Sequence, residues 1–363
     1  MKKKKPNYKL RRLIARIIII LFFMVILLFA FRKQIIKIPL LIQNSNYKDI
    51  INTFFNNDYD YDEVKDIVNK LKKKKKISKI DKNMITALHD KGYKKETINF
   101  VLLNMSKTQI RKLLNKDFDL DLEKYLAINI FNFDNYYRYM EYKENHPDLS
   151  FEDVITRVEL DLDKYDYEEP EKISNPDSYT TLVNKHRYLD KNYVPSDLVE
   201  MEDKYSNNSH GVNLLRKEVY EEFKKMVDDA EFDGIKFYAE TTYRSYEKQD
   251  DIYYEYLYIN GSEMADKYAA KAGYSEHQLG LAIDLANIWN IEEGDKEYKW
   301  IEKYGYKYGF ILRYKKKDET ITRYAAEDYH IRYVGKKAAE TIHKKNITLD
   351  EYYVKYIKNK DSK

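Results

Sequence analysis

The sequence predicts an α+β domain in its C-terminal part, preceded by a transmembrane helix and a small all-α region. Three observations carry this reading: an apolar run near the N-terminus, helical periodicity in short units between residues 45 and about 130, and a change from about Ile173 onward to short strand-like runs separated by helical stretches. The expected divisions are residues 1–34, 35–172 and 173–363, and a chain of 363 residues can hold two cores because one domain takes roughly 100–200 residues.

From Leu13 to Phe31 the chain reads LIARIIIILFFMVILLFAF, with Arg16 as its single charge. About 20 apolar residues cross a bilayer as a helix, and Arg16, in the first turn, can extend its guanidinium back to the headgroups. Lys2, Lys3, Lys4, Lys5, Lys9, Arg11 and Arg12 precede the run, whereas Arg32, Lys33 and Lys37 come after it. This bias places the N-terminus in the cytoplasm and everything after Phe31 outside, in a single-pass protein of the cell membrane. A cleaved signal peptide is the rival reading. The run is long for the apolar core of such a peptide, and FRKQ rather than an A-x-A-like site comes next, so an uncleaved anchor is expected.

In the second division, Met84, Ile85 and Leu88 form an apolar stripe ended by Gly92, and Ile98, Val101, Leu102 and Met105 form the next. Ser106 and Gln109 have capping-box spacing ahead of Ile110, Leu113 and Leu114. These signals predict a small array of helical hairpins. The basic run from Lys72 to Lys76 is read as a solvated loop or helix end rather than a contact for anionic polymer or lipid. NHPDLS at 145–150 supplies a turn and a cap for FEDVITRVEL, a connector into the third division.

Composition narrows the chemistry. Lys and Arg number 65 against 61 Asp and Glu, so the net charge of +4 is small and the two signs are intermixed, which argues against a dedicated nucleic-acid binder. With no Cys there is no disulfide framework, thiolate metal site or Cys nucleophile. Any metal must be held by His, Asp, Glu or water. The 37 Tyr are read chiefly as amphipathic packing residues.

In the third division the strand-like runs are GIKFYAETTYR, GLAIDLA, YGFILRY and YHIRYVG, and LLRKEVYEEFKKMVDDA is helical. In LAIDLA, Leu281, Ile283 and Leu285 share one face while Ala282, Asp284 and Ala286 share the other. Asp284 therefore emerges among small residues, and a carboxylate on a half-buried strand needs a metal, an Arg or several donors beside it. His277 lies in the Gly-interrupted loop just before this strand, and both residues can ligate zinc. Farther on, Glu327 stands three residues before His330, where it can complete a two-His, one-Asp site and add a base. Two neutral imidazoles and one carboxylate leave a divalent ion at net +1, with an open position for water. The remaining histidines, His89, His146, His186, His210 and His343, lie outside this pattern and are given no metal role.

The pattern S-x-H-x-x-G-x-A-x-D, followed by E-x-x-H-x-R-Y-V-G, resembles the D-alanyl-D-alanine carboxypeptidases of the VanY type, in the LAS group of zinc peptidases. The likeness extends from LVNKHRYL at 182–189 and Tyr193-Val194-Pro195, through TYRS at 242–245 and Gln249, to YGFILRY at 308–314 and ITLDEYY at 347–353. It implies a small antiparallel-sheet zinc peptidase domain holding one zinc per chain on His277, Asp284 and His330, with Glu327 as general base. It also implies that Arg244, Gln249, Ser275 and Tyr314 meet the substrate, Arg244 pairing with a terminal carboxylate or a developing oxyanion.

The activity so implied is removal of the C-terminal D-alanine from peptidoglycan stem peptides. L,D-carboxypeptidase action on tetrapeptides and a non-catalytic wall-binding role are the alternatives. Two departures stand out: Thr241-Thr242 in place of a common Ser-Gly, and Glu327-Asp328-Tyr329-His330 in place of Glu-Pro-Trp-His. The second bears on the substrate wall, because Pro fixes φ and Trp buries a large area. Oligomeric state is not set by any feature of the sequence.

Overall fold

The computed structural model describes residues 37–116, 120–207, 211–286 and 295–358. The expected membrane span, Leu13 to Phe31, and His210 lie outside these residues. Among the described residues no helix is long and apolar enough to cross a membrane. The described residues divide into two compact units, with the boundary between Phe133 and Asp134, and residue 173 lies inside the second.

The first unit is built from short helices: α1 (Lys48–Asn56), α2 (Tyr61–Lys73), α3 (Lys82–Asp90), α4 (Lys95–Asn104), α5 (Lys107–Leu114) and α6 (Leu120–Leu126). Their ends are defined by side chains. Asp60 with Glu63, and Ser106 with Gln109, form reciprocal capping boxes that satisfy amides left free at the first turns of α2 and α5. On α2, Val64, Ile67, Val68 and Leu71 are buried at helical spacing. The basic run ends the same helix: Lys72 and Lys73 lie in its last turn and Lys74 is its C-cap, where positive charge complements the carbonyl end.

The second unit opens with α7 (Tyr136–Asn145) and α8 (Phe151–Glu159), the latter capped by Ser150. This connector packs on the C-terminal part of the unit: Arg157 donates to the Thr320 carbonyl, and Lys358 pairs with Glu159. The centre is a four-stranded antiparallel sheet of β1 (Tyr238–Thr241), β2 (Ala282–Ala286), β3 (Phe310–Tyr314) and β4 (Glu327–Tyr333), in the spatial order β1-β2-β4-β3. The fold is α+β, as expected.

One face of the sheet carries Ile283, Leu285, Leu312 and Ile331 into a core shared with Val219, Phe223, Met226 and Ala230 of α9 (Lys217–Phe232). The other face carries Asp284, His330 and Arg332. The alternation expected for β2 holds, but the strand is not half-buried, since all five of its residues are buried. The reason lies in segments far away in the sequence. Arg332 donates to the carbonyls of Tyr179 and Thr181, and Asp350 accepts from Arg313, so chain from both ends of the domain covers the polar face.

Candidate active site and metal centre

Register brings the first two site residues together. Asp284 on β2 is the cross-strand partner of His330 on β4, so both project from the same face of neighbouring strands. His277 reaches the same point from a 3-10 turn, Glu276–Leu279, that leads into β2. The turn ends on Gly280 at φ +62°, and a Cβ there would sit 2.8 Å from a Leu198 methyl carbon. Glycine lets the chain reverse tightly between His277 and the strand.

His277, Asp284 and His330 are all buried, and each offers one ligand atom lying within 4.8 Å of the others. Among the described residues no other trio of His, Asp or Glu side chains converges in this way. His277 Nε2 is 3.2 Å from Asp284 Oδ2, and His330 Nδ1 is 2.9 Å from Asp284 Oδ1. The tautomer of His277 follows from its other nitrogen: Nδ1 lies 2.6 Å from the Thr242 carbonyl, so Nδ1–H donates there and Nε2 keeps a lone pair. The donor set of two imidazoles and one carboxylate, drawn together in a buried pocket, fits a divalent ion that prefers N and O ligands with one position left open.

Glu327 is brought to this point by an irregularity. On a regular strand a residue three positions before His330 would face the opposite side of the sheet. The ladder between β3 and β4 pairs Leu312 with Ile331, and regular continuation would set Tyr314 opposite Tyr329. Tyr314 instead lies opposite Glu327, so β4 carries a bulge there. The bulge swings Glu327 Oε2 to 3.6 Å from His330 Nδ1.

Burial and charge tune these groups. Burial pushes the Glu327 carboxyl up to about 7, against the opposing pull of His330. For His277, burial and then Arg244 lower the imidazole to about 4. Burial also disfavours charge on His330, but its contacts with Asp284 and Glu276 prevail and raise it to about 9.

A pH dependence follows for the metal-free protein. The folded-state value for His330 exceeds the ordinary 6.5, so its contribution is fully present below pH 6.5 and is lost as pH rises through about 9. Glu327 acts in the same direction up to about pH 7, because folding favours its protonated form. Metal-free protein is therefore expected to melt at progressively lower temperature between pH 6.5 and 9. Saturating zinc should flatten that slope, because a ligated imidazole no longer titrates. A flat metal-free profile measured by calorimetry would exclude this coupling.

The remaining expected site residues take distinct places. Arg244 Nη2 donates to Asp284 Oδ2 at 2.9 Å and Nη1 donates to Gln249 Oε1 at 2.8 Å, while its buried Nε has no hydrogen-bond partner. Arg244 thus borders the metal site with a donor to spare. Gln249 meets Arg244. It is 2% exposed, its carbonyl accepts from Arg244 and its amide donates to the Ala270 carbonyl at 2.7 Å, so it orients Arg244. Ser275 caps the 3-10 turn by accepting from the His277 amide at 3.3 Å. The Tyr314 ring packs 5.0 Å from the His330 ring and 5.4 Å from Tyr324.

One feature escaped sequence reasoning. Glu276, Arg313, Arg332 and Asp350 form a buried charge cluster directly behind His330, in which Arg313 donates from Nε to Glu276 at 2.9 Å and from Nη1 to Asp350 at 2.7 Å. Its members come from four separate segments, and only the adjacency of Glu276 to His277 hints at it in the sequence.

Residues 212–336, which hold all three converging side chains and Glu327, match the family VanY: D-alanyl-D-alanine carboxypeptidase. A putative carboxypeptidase of Bacillus subtilis (strain 168), YodJ, is 40% identical over 192 residues, which span 51% of this chain and 70% of that protein. Among solved structures, the LdcB LD-carboxypeptidase is 39% identical, with 51% of this chain and 90% of that one covered at a TM-score of 0.48. A mutant of the vancomycin-resistance D,D-pentapeptidase VanY from the VanB-type resistance cassette, in complex with Zn(II), is 28% identical, with 48% and 98% covered at a TM-score of 0.42.

Proposed function

Because this chain belongs to the VanY family of zinc-dependent carboxypeptidases, we propose that it removes the C-terminal D-alanine from peptidoglycan stem peptides, with Glu327 as general base and Arg244 as carboxylate anchor. The observation that carries the reading is the convergence of His277, Asp284 and His330 on one point, with Glu327 3.6 Å from His330 Nδ1.

His277 Nε2, Asp284 and His330 Nδ1 are the groups that would hold the zinc, which supplies Lewis acidity for a water and for the scissile carbonyl. Glu327 takes the proton of the attacking water and hands it to the departing amine nitrogen. A carboxyl poised near neutrality suits both halves of that transfer. Arg244 pairs with the terminal carboxylate of the peptide, and its planar guanidinium, braced by Gln249, holds the scissile bond in place. Tyr329 stands where Trp is common and borders Glu327, so it contributes to the wall that chooses the stem.

The test is product analysis on defined muropeptides. Purified protein should release D-alanine from a pentapeptide stem, and a chelator should abolish the release. Release from a tetrapeptide alone would make the enzyme an L,D-carboxypeptidase, and release from neither by zinc-loaded protein would sink the reading.

The reading also sets the enzyme outside the cell membrane, tethered by Leu13 to Phe31, on the strength of the apolar run and the preceding basic residues. Because the chain has no Cys, a single Cys introduced in the C-terminal part should react with a membrane-impermeant maleimide on intact cells. Reaction only after lysis would reverse the topology.

A further inference from the structure

We propose that Glu276 is a positioning residue for the metal centre: it accepts the Nε2 proton of His330, and so leaves Nδ1 of that ring as the metal ligand. This inference rests on the zinc-site reading above and adds a residue to it.

Two buried atoms carry the argument. His330 Nε2 and Glu276 Oε2 lie 3.7 Å apart, and neither has a hydrogen-bond partner elsewhere. The other ring nitrogen, Nδ1, is the one that faces Asp284 and Glu327. A neutral imidazole carries one proton, and a metal can take only the nitrogen without it. A carboxylate behind Nε2 makes that atom the donor. His277 is fixed in the complementary sense, its Nδ1–H held by the Thr242 carbonyl. The two ligand imidazoles therefore present opposite nitrogens to one point, each fixed from behind by an acceptor.

The surroundings show why the acceptor must be a carboxylate in a defined pose. Glu276 is 2% exposed, and its Oε1 is held by Arg313 Nε at 2.9 Å and by an ion pair with Arg332 Nη1 at 2.9 Å. Arg313 also pairs with Asp350, so two carboxylates and two guanidiniums balance in a buried cluster. With Oε1 fixed in this way, Oε2 points at His330. A Gln in the same place would keep its carbonyl oxygen on the two guanidiniums and turn its NH2 toward Nε2. That reverses the polarity, favouring a proton on Nδ1 where the metal must bind.

Zinc affinity of the full chain, measured by competition with a chromophoric chelator, tests this with Glu276→Gln. Zinc affinity should fall about 10- to 100-fold, while the metal-free variant melts as a folded protein. In unaltered, zinc-loaded protein labelled with 15N-histidine, long-range proton–nitrogen spectra should show His330 protonated at Nε2. Undiminished affinity in a folded Glu276→Gln protein would overturn the proposal. Should the variant not fold, the His330 spectrum decides: a proton on Nδ1 overturns the proposal and one on Nε2 upholds it. Failure of the unaltered chain to bind zinc would instead overturn the metal-site reading, so the two failures are distinguishable.

Discussion

Replacing Glu327 with Gln is expected to lower kcat by about 10²–10⁴-fold, the range for loss of a general acid–base group, while zinc content and fold persist. Gln matches Glu in size but takes no proton from water, and Glu327 is not one of the three residues assigned to the metal. KM should change little, because the side chain acts on the reacting proton rather than on the bound peptide. The substitution should also leave the metal-free protein as stable as before or slightly more so above pH 7, since burial works against the Glu327 carboxylate. Paired measurements of D-alanine release and zinc stoichiometry check this. Loss of zinc along with activity would show that Glu327 is a ligand, and unchanged turnover would remove it from the chemistry.

The second large effect is expected at Asp284. Its carboxylate lies 3.2 Å from His277 Nε2, 2.9 Å from His330 Nδ1 and 2.9 Å from Arg244 Nη2, and it is 6% exposed. It is the single anion among the three converging side chains, and it accepts from Arg244 and, in the metal-free protein, from His330. Asp284→Asn keeps the shape of the side chain but removes the charge, and its NH2 is set against groups that themselves donate. The variant is expected to lose zinc on purification and to fall to the background activity of chelated protein. It should also lose most of the pH 6.5–9 decline in melting temperature, because His330 no longer gains from an adjacent carboxylate. Metal analysis by mass spectrometry and a calorimetric pH series check both. Zinc retained at the original affinity would exclude Asp284 from the ligand set.

Much of the site was legible because its chemistry restricts residue types and its strands restrict spacing. Without Cys, ligands had to be His or carboxylates, and alternation in LAIDLA put Asp284 on a face of small residues. Arg244 was visible as a guanidinium just after a strand. The internal partners of Gln249 and Ser275 were not legible, because nothing in the sequence shows where an amide or hydroxyl finds its partners. In the fold Gln249 meets Arg244 and the Ala270 carbonyl, and the Ser275 oxygen accepts from the His277 amide. The cluster behind His330 was invisible for a related reason: Glu276, Arg313, Arg332 and Asp350 meet only after distant segments pack.

By itself the sequence determined the α+β class, the short capped helices of the first unit, and the choice of His277, Asp284, His330 and Glu327 as candidate site residues. Each of these depends on local periodicity or on the chemical identity of a side chain. Tertiary structure alone decided the cross-strand register that sets Asp284 opposite His330, the bulge that turns Glu327 to the same face, and the burial of both faces of β2. Those features arise from pairings between residues tens of positions apart, whose energies belong to the packed sheet and not to any one segment.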